Sequence, residues 1–174
     1  DFASDEVKYM SVRVNTFYPN LQAREELRNA IVSEKVYALT GDTKYAIKLL
    51  TPGDLVKLGV RNDLVELIGE GSGVPGFKNA IYWDHISGKY VLAFAGTDDG
   101  PDIVADVWQG LGGFTEQYRA ALSIGRELFE LPDFVENTVV TGHSLGGGLA
   151  SAAAVASGFH ADTFNSAGLM RSSL

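Results

Sequence analysis

The stretch TVVTGHSLGGGLASAAAVASG, residues 138–158, joins two kinds of sequence within a few positions. Its first part is β-branched and apolar, which is typical of a buried strand. After Gly-His-Ser-Leu-Gly it becomes a run of small residues, which predicts a helix over 145–157. A strand that turns directly into a helix places Ser144 at the carboxyl end of the strand and at the amino end of the helix.

So sharp a turn leaves little room for side chains two residues before and two residues after the serine. Gly142 and Gly146 occupy those positions of a Gly-x-Ser-x-Gly pattern. The free N–H of Leu145 and the helix dipole then lie beside the serine, where they can stabilise an oxyanion. The sequence therefore predicts a nucleophile elbow of Gly142, His143, Ser144 and Gly146. A plain glycine-rich strand–helix turn is the alternative.

Strands and helices alternate on both sides of this turn. FKNAIYW and YVLAFA flank a DHISGK turn, residues 114–130 carry apolar residues at helical spacing, and ADTFN follows the 145–157 helix as a short strand. This order predicts an α/β fold with a mostly parallel sheet and flanking helices.

The first 60 residues are predicted to be helical. Thr51 is the expected N-cap of a short helix that has Pro52 at its first position and Gly59 as its stop. The loop GEGSGVPG, residues 69–76, is the expected internal boundary. We therefore expect a helical N-terminal region over 1–70 and an α/β core, which contains the elbow, over 71–174.

Composition excludes several classes of function. The net charge is −8 and no cluster of Lys and Arg occurs, which argues against nucleic acid and against capture by an anionic membrane. A lipid ester gripped by apolar contact stays compatible with this charge. Cysteine is absent, so thiolate chemistry and disulfides are excluded. No cofactor and no metal are expected, and the opening DFASDEVKYM lacks the pattern of a secretory signal.

The segment after YVLAFA is the expected partner of the elbow. Thr97 should lie at the same sheet edge as Ser144, where its N–H is a natural second donor to an oxyanion, although Thr97 can equally be a loop cap. Thr97 belongs to a long loop rich in Gly and Asp, which is expected over 96–113. Loops of this length within a domain are usually functional or mobile.

These motifs together resemble the class 3 (fungal-type) lipases of the α/β-hydrolase fold, in particular their bacterial lipase and phospholipase branch, which includes secreted and effector-type enzymes. The resemblance covers residues 77–170 and rests on FAGT, VVTGHSLGGGLASAAA and TFNSAGL. It implies hydrolysis of lipid esters, either phospholipids or acylglycerols, and it makes export an expectation.

The resemblance also implies roles for individual residues. Ser144 matches the nucleophile, and Leu145 and Thr97 match the two oxyanion donors. Ala95 departs from the arginine usual in the family, which affects the geometry of the adjoining loop. The lid of the family falls on residues 98–113. Its apolar face is expected to consist of Ile103, Val104, Val107, Trp108 and Leu111, in transient contact with a membrane surface; core packing of a short helix is the alternative.

A serine hydrolase needs a histidine base, and none of the three histidines fits by topology. His143 adjoins the serine on the elbow and should point elsewhere. His85 lies in the turn before YVLAFA and His160 opens ADTFN. Both are at the opposite edge of the sheet, roughly 20 Å from Ser144 at about 3.3 Å per residue.

The orienting carboxylate is missing as well. In this fold the order is Ser, then Asp or Glu, then His. No acidic residue occurs after residue 164, and no histidine follows Asp162. The loop carboxylates are expected to be solvated, with a calcium site as the less favoured alternative; they are Asp98, Asp99, Asp102 and Asp106. We therefore expect a longer hydrolase, of which this sequence is the N-terminal portion, with the Asp and His on the remainder or on a second chain.

Two classes of function follow from the sequence. One is a serine-dependent ester hydrolase that forms an acyl-enzyme on Ser144. The other is a non-catalytic lipid- or protein-binding fragment that retains the elbow. An acyltransferase or peptidase sharing the elbow is a third alternative.

Overall fold

The computed structural model describes residues 21–96 and 111–166, apart from the side chains of residues 21–22 and 111–115. The helices are α1 (Leu21–Lys35), α2 (Pro52–Lys57), α3 (Asn62–Leu67), α4 (Leu111–Phe129), α5 (Pro132–Val135) and α6 (Leu145–Ser157). The strands are β1 (Ile47–Leu49), β2 (Asn79–Asp84), β3 (Lys89–Phe94), β4 (Thr138–His143) and β5 (His160–Phe164). A short 3₁₀ helix, Val36–Ala38, follows α1.

The five strands form one mixed sheet in the order β1-β2-β3-β4-β5. β4 pairs in parallel with both of its neighbours, β3 and β5, whereas β1, β2 and β3 pair antiparallel. The α/β fold expected from the sequence is confirmed. The register places Phe94 opposite Gly142 and His143 opposite Phe164, so three strands end together at the elbow.

Helices cover both faces of the sheet. On one face α4 and α6 pack on strand residues such as Leu92 and Val140, together with apolar residues of α2, α3 and α5. On the other face a smaller cluster joins Val32 and Val36 to β1, β2 and β3. β4 therefore lies within a layered core, and its carboxyl end reaches a rim between the layers. None of the helices in the described ranges is both long and apolar enough to cross a membrane.

Local signals in the sequence are confirmed where they are strongest. Thr51 and Asp54 form a reciprocal capping box at α2, with Pro52 in its first turn, and Gly59 follows at φ 86°. Gly88 closes the β2–β3 hairpin at φ 67°. One expectation was wrong: β1 is a strand within the region expected to be helical. Phe129 continues the apolar pattern of α4 but is 43% exposed.

Polar contacts fasten α1 to the sheet. Arg28 forms a buried ion pair with Asp84 at the end of β2, and the Asn29 amide donates to Asp162 of β5 over 2.7 Å. The Thr141 hydroxyl donates to the Asn29 carbonyl over 3.2 Å. Because these bonds join α1 to three different strands, β2, β4 and β5, they fix the position of α1 and of the chain that follows it.

Candidate active site

Ser144 is the single residue between the end of β4 and the start of α6. Its backbone has φ 57° and ψ −124°, a conformation that side-chain-bearing residues rarely adopt. Such a conformation costs of order 1–3 kcal/mol and persists only where surrounding structure enforces it. The turn is therefore strained at the residue that the sequence singles out.

Two glycines make this turn possible. A Cβ atom on Gly142 would lie 2.9 Å from the Gly147 nitrogen, and one on Gly146 would lie 2.8 Å from the carbonyl carbon of Phe94. Real Cβ atoms essentially never approach backbone atoms below 3.0 Å. Gly142 thus lets α6 fold back on β4, and Gly146 lets α6 lie directly against the end of β3.

Backbone hydrogen bonds hold Ser144 in place on both sides. Its N–H donates to the Phe164 carbonyl of β5 over 3.1 Å. Its carbonyl accepts from Gly147 and Gly148 over 3.0 and 3.3 Å. Since β5 fixes the nitrogen and α6 fixes the carbonyl, the half-buried serine side chain stands at the rim of the sheet.

The N–H of Leu145 opens α6, so it has no partner within the helix. No residue in the described ranges accepts a hydrogen bond from it. Gly96 lies next to it, since a Cβ on Gly96 would be 3.5 Å from the Leu145 nitrogen and 2.9 Å from the His143 carbonyl oxygen. The chain leaving β3 therefore runs along the elbow. Thr97, the next residue, lies outside the described residues.

Gly96 also makes a contact that sequence reasoning missed. The Gly96 N–H donates to the phenol oxygen of Tyr37 over 3.0 Å. The two residues are 59 positions apart, and Tyr37 belongs to the 3₁₀ helix after α1. No spacing or composition signal connects such a pair.

All three histidines are in the described ranges, and none is placed to accept the Ser144 proton. His85 is in the β2–β3 hairpin, at the edge of the sheet opposite the elbow. His160 pairs with Val139, four residues before the end of β4, and its side chain is 69% exposed. His143 and Thr141 are two residues apart on β4, so their side chains lie on the same face of the sheet. The Thr141 hydroxyl donates to the Asn29 carbonyl of α1, so the His143 side chain is on the face that α1 covers.

Asp162 is engaged in contacts within the sheet layer. One carboxylate oxygen accepts from Asn29 over 2.7 Å, and the other lies 3.0 Å from His160 Nε2. Its partner in register is Thr141, two residues before His143. The geometry favours a role in joining α1 to β5.

We expect Asp162→Asn to lower the free energy of unfolding by about 1–2 kcal/mol, because a neutral amide accepts weaker hydrogen bonds than a carboxylate. Ester hydrolysis by the complete protein should stay within about ten-fold of wild type, whereas losing an orienting carboxylate costs about 10⁴-fold. Urea unfolding and initial rates measure the two quantities. A loss near 10⁴-fold in a folded variant would instead make Asp162 the orienting acid.

The remaining predicted site residues fall largely outside the described ranges. These are Ile103, Val104, Val107 and Trp108 of the expected lid face; Leu111 begins α4, but its side chain is not described. The four loop carboxylates from Asp98 to Asp106 are outside as well. Among the residues that the structure does describe, no group of three or more His, Asp or Glu side chains could hold a metal ion.

Comparison with known proteins identifies the family to which the chain belongs. A family model described as the Tle-like phospholipase domain matches residues 28–174, which include the elbow and nearly all of the described structure. The chain is 38% identical over 140 residues to the extracellular phospholipase A1 of Serratia liquefaciens. That alignment covers 80% of this chain but 41% of the relative, so the chain spans less than half of the relative's length. With the family match extending over most of its residues, the chain belongs to the Tle-like phospholipase family.

Proposed function

We propose that this chain carries the nucleophile and the oxyanion site of a phospholipid ester hydrolase, with Ser144 as the catalytic serine. The observation that carries the proposal is the strained backbone of Ser144, φ 57°, at a junction where two glycines admit no Cβ. Strain of this kind is maintained at functional sites. The family match and the phospholipase A1 relative support lipid esters as the substrate class.

In the proposed reaction the Ser144 oxygen attacks the acyl carbonyl of the lipid while a base takes its proton. The carbonyl oxygen becomes an oxyanion that accepts hydrogen bonds from the N–H groups of Leu145 and Thr97. Collapse of this intermediate forms an acyl-enzyme and releases the alcohol, which recovers the proton from the base. Water, activated by the same base, then releases the fatty acid and restores the serine.

The base and its orienting carboxylate are proposed to come from residues beyond these 174 or from a second chain. This proposal is supported by the positions of His85 and His160 toward the other ends of the strands and by the α1-facing side of the sheet on which His143 lies. A Ser–Asp–His order along the complete protein would match the class 3 lipases of the α/β-hydrolase fold. The five-strand sheet with its elbow after β4 supports the proposed membership in the α/β-hydrolase fold. We also propose a division into an N-terminal region over 1–70 and a core over 71–174.

Residues 98–113 are proposed to supply the lid, with transient contact to a lipid surface. This segment begins two positions after Gly96, which lies against the elbow. Export of the protein is also proposed, because the matched relative is named an extracellular enzyme. The reaction as written uses no metal and no redox cofactor.

Labelling of the complete protein with a fluorophosphonate tests the nucleophile directly. We expect one phosphonyl adduct, mapped by peptide mass spectrometry to Ser144. Ser151 is an internal control, because its hydroxyl donates to the Gly147 carbonyl over 2.8 Å and should remain unlabelled. A folded protein without any adduct would favour the non-catalytic lipid- or protein-binding alternative. If the protein is active, analysis of its products separates hydrolysis from acyl transfer.

A further inference from the structure

The phenol oxygen of Tyr37 lies beside Gly96, on the side where Gly96 also approaches the elbow. It accepts the Gly96 N–H over 3.0 Å. A Cβ on Gly96 would be 2.8 Å from this oxygen and 2.9 Å from the His143 carbonyl oxygen. Gly96 is thus enclosed between the Tyr37 hydroxyl and the last residue of β4.

We propose that Tyr37 is a positioning residue for the oxyanion site, an inference that rests on the proposed function. Tyr37 fixes the peptide N–H of Gly96, and Gly96 lies against the Leu145 nitrogen, the first proposed donor. In the sequence, Gly96 also directly precedes Thr97, the second proposed donor. A donor works only when its direction is set before charge develops on the substrate. The phenol supplies this constraint from a part of the chain remote from the elbow.

Tyr37 is itself held firmly enough to serve this role. The Lys78 ammonium donates to the Tyr37 carbonyl over 2.9 Å, and the Lys78 carbonyl accepts the Ala95 N–H, also over 2.9 Å. One residue therefore anchors both the backbone of Tyr37 and the residue before Gly96. Val36, next to Tyr37, is fully buried in the smaller core cluster.

Removing the phenol oxygen leaves the Gly96 N–H without its acceptor while the aromatic ring stays in place. A group that only stabilised the fold would change the melting temperature and the fraction of folded enzyme. A positioning group changes the stabilisation of the transition state and leaves ground-state binding of the lipid unaffected. The kcat and KM therefore separate the two roles.

The experiment compares Tyr37→Phe with Tyr45→Phe in the complete protein. Tyr45 packs against the same cluster, and Ala46 beside it pairs with His85 at the hairpin edge, far from the elbow. Hydrolysis of a phospholipid, the Kd of an alkyl boronic acid and thermal unfolding are measured for both variants, for wild type and for Ser144→Ala.

We expect Tyr37→Phe to lower kcat about ten-fold with KM unchanged. The Kd of the boronic acid should rise by a similar factor, because kcat and boronic acid binding both depend on the oxyanion donors. Its melting temperature should fall further than that of Tyr45→Phe, because the Gly96 N–H loses its acceptor, so both rates are expressed per folded enzyme. Tyr45→Phe should keep wild-type kcat. A Tyr37→Phe kcat within about two-fold of wild type, with Ser144→Ala inactive, overturns the positioning role alone. An active Ser144→Ala overturns the proposed function instead.

Discussion

Ser144→Ala is expected to lower kcat of the complete protein on a phospholipid by about a million-fold, to the level left by binding and the oxyanion donors alone. The expectation follows from the proposed mechanism, because alanine lacks the oxygen that is proposed to form the acyl-enzyme. Alanine also fits the site, since the Ser144 N–H donates to the Phe164 carbonyl and the Ser144 carbonyl accepts from the Gly147 N–H, and neither bond involves a side-chain atom. Initial rates at saturating lipid measure the loss.

Two further variants make this result specific. Ser151→Ala removes a hydroxyl from the same helix that is already bonded to the Gly147 carbonyl, and it should keep wild-type kcat. Ser144→Gly should be as inactive as Ser144→Ala but more stable by about 1 kcal/mol, because glycine adopts φ 57° without strain. Substantial hydrolysis by either Ser144 variant would refute its role as nucleophile.

Gly146→Ala is expected to have the second largest effect, a loss of at least about 100-fold in kcat together with about 3 kcal/mol of stability. The new Cβ would lie 2.8 Å from the carbonyl carbons of both Phe94 and Ala95. These are backbone atoms at the end of β3, so relief requires α6 or the strand to move. Either movement separates the Leu145 amide from Gly96. Urea unfolding and lipid hydrolysis measure the two effects.

Gly53→Ala is the matched control for this substitution. Gly53 is also in a helix, α2, but the nearest atom to its Cβ position is the Thr51 hydroxyl at 3.9 Å. Alanine is the better helix former, so stability should rise by about 0.5–1 kcal/mol with activity unchanged. Equal stability and activity for Gly146→Ala and wild type would show that the close packing of the elbow is not required.

Local patterns predicted much of this molecule. The capping box at Thr51, the hairpin closed by Gly88 and the strand–helix junction at Ser144 each depend on a few neighbouring residues, whose steric and hydrogen-bonding needs are visible in the sequence. The exposure of Phe129 was not predictable in this way. Its spacing fits the apolar stripe of α4, but the helix ends there, and the ring lies at the margin of the core, with its centroid 6.0 Å from that of Phe159.

The sequence by itself determined the elbow, because the turn depends on adjacent residues: the end of a strand, the start of a helix and the two glycines that let them meet. It also determined the parallel half of the sheet, since strands joined through a helix pair in parallel. Only the tertiary structure decided that Tyr37 meets Gly96, that Arg28 meets Asp84 and that β1 joins the sheet edge. The physical reason is that these contacts join residues tens of positions apart, and a long-range side-chain contact leaves no periodic pattern in the chain.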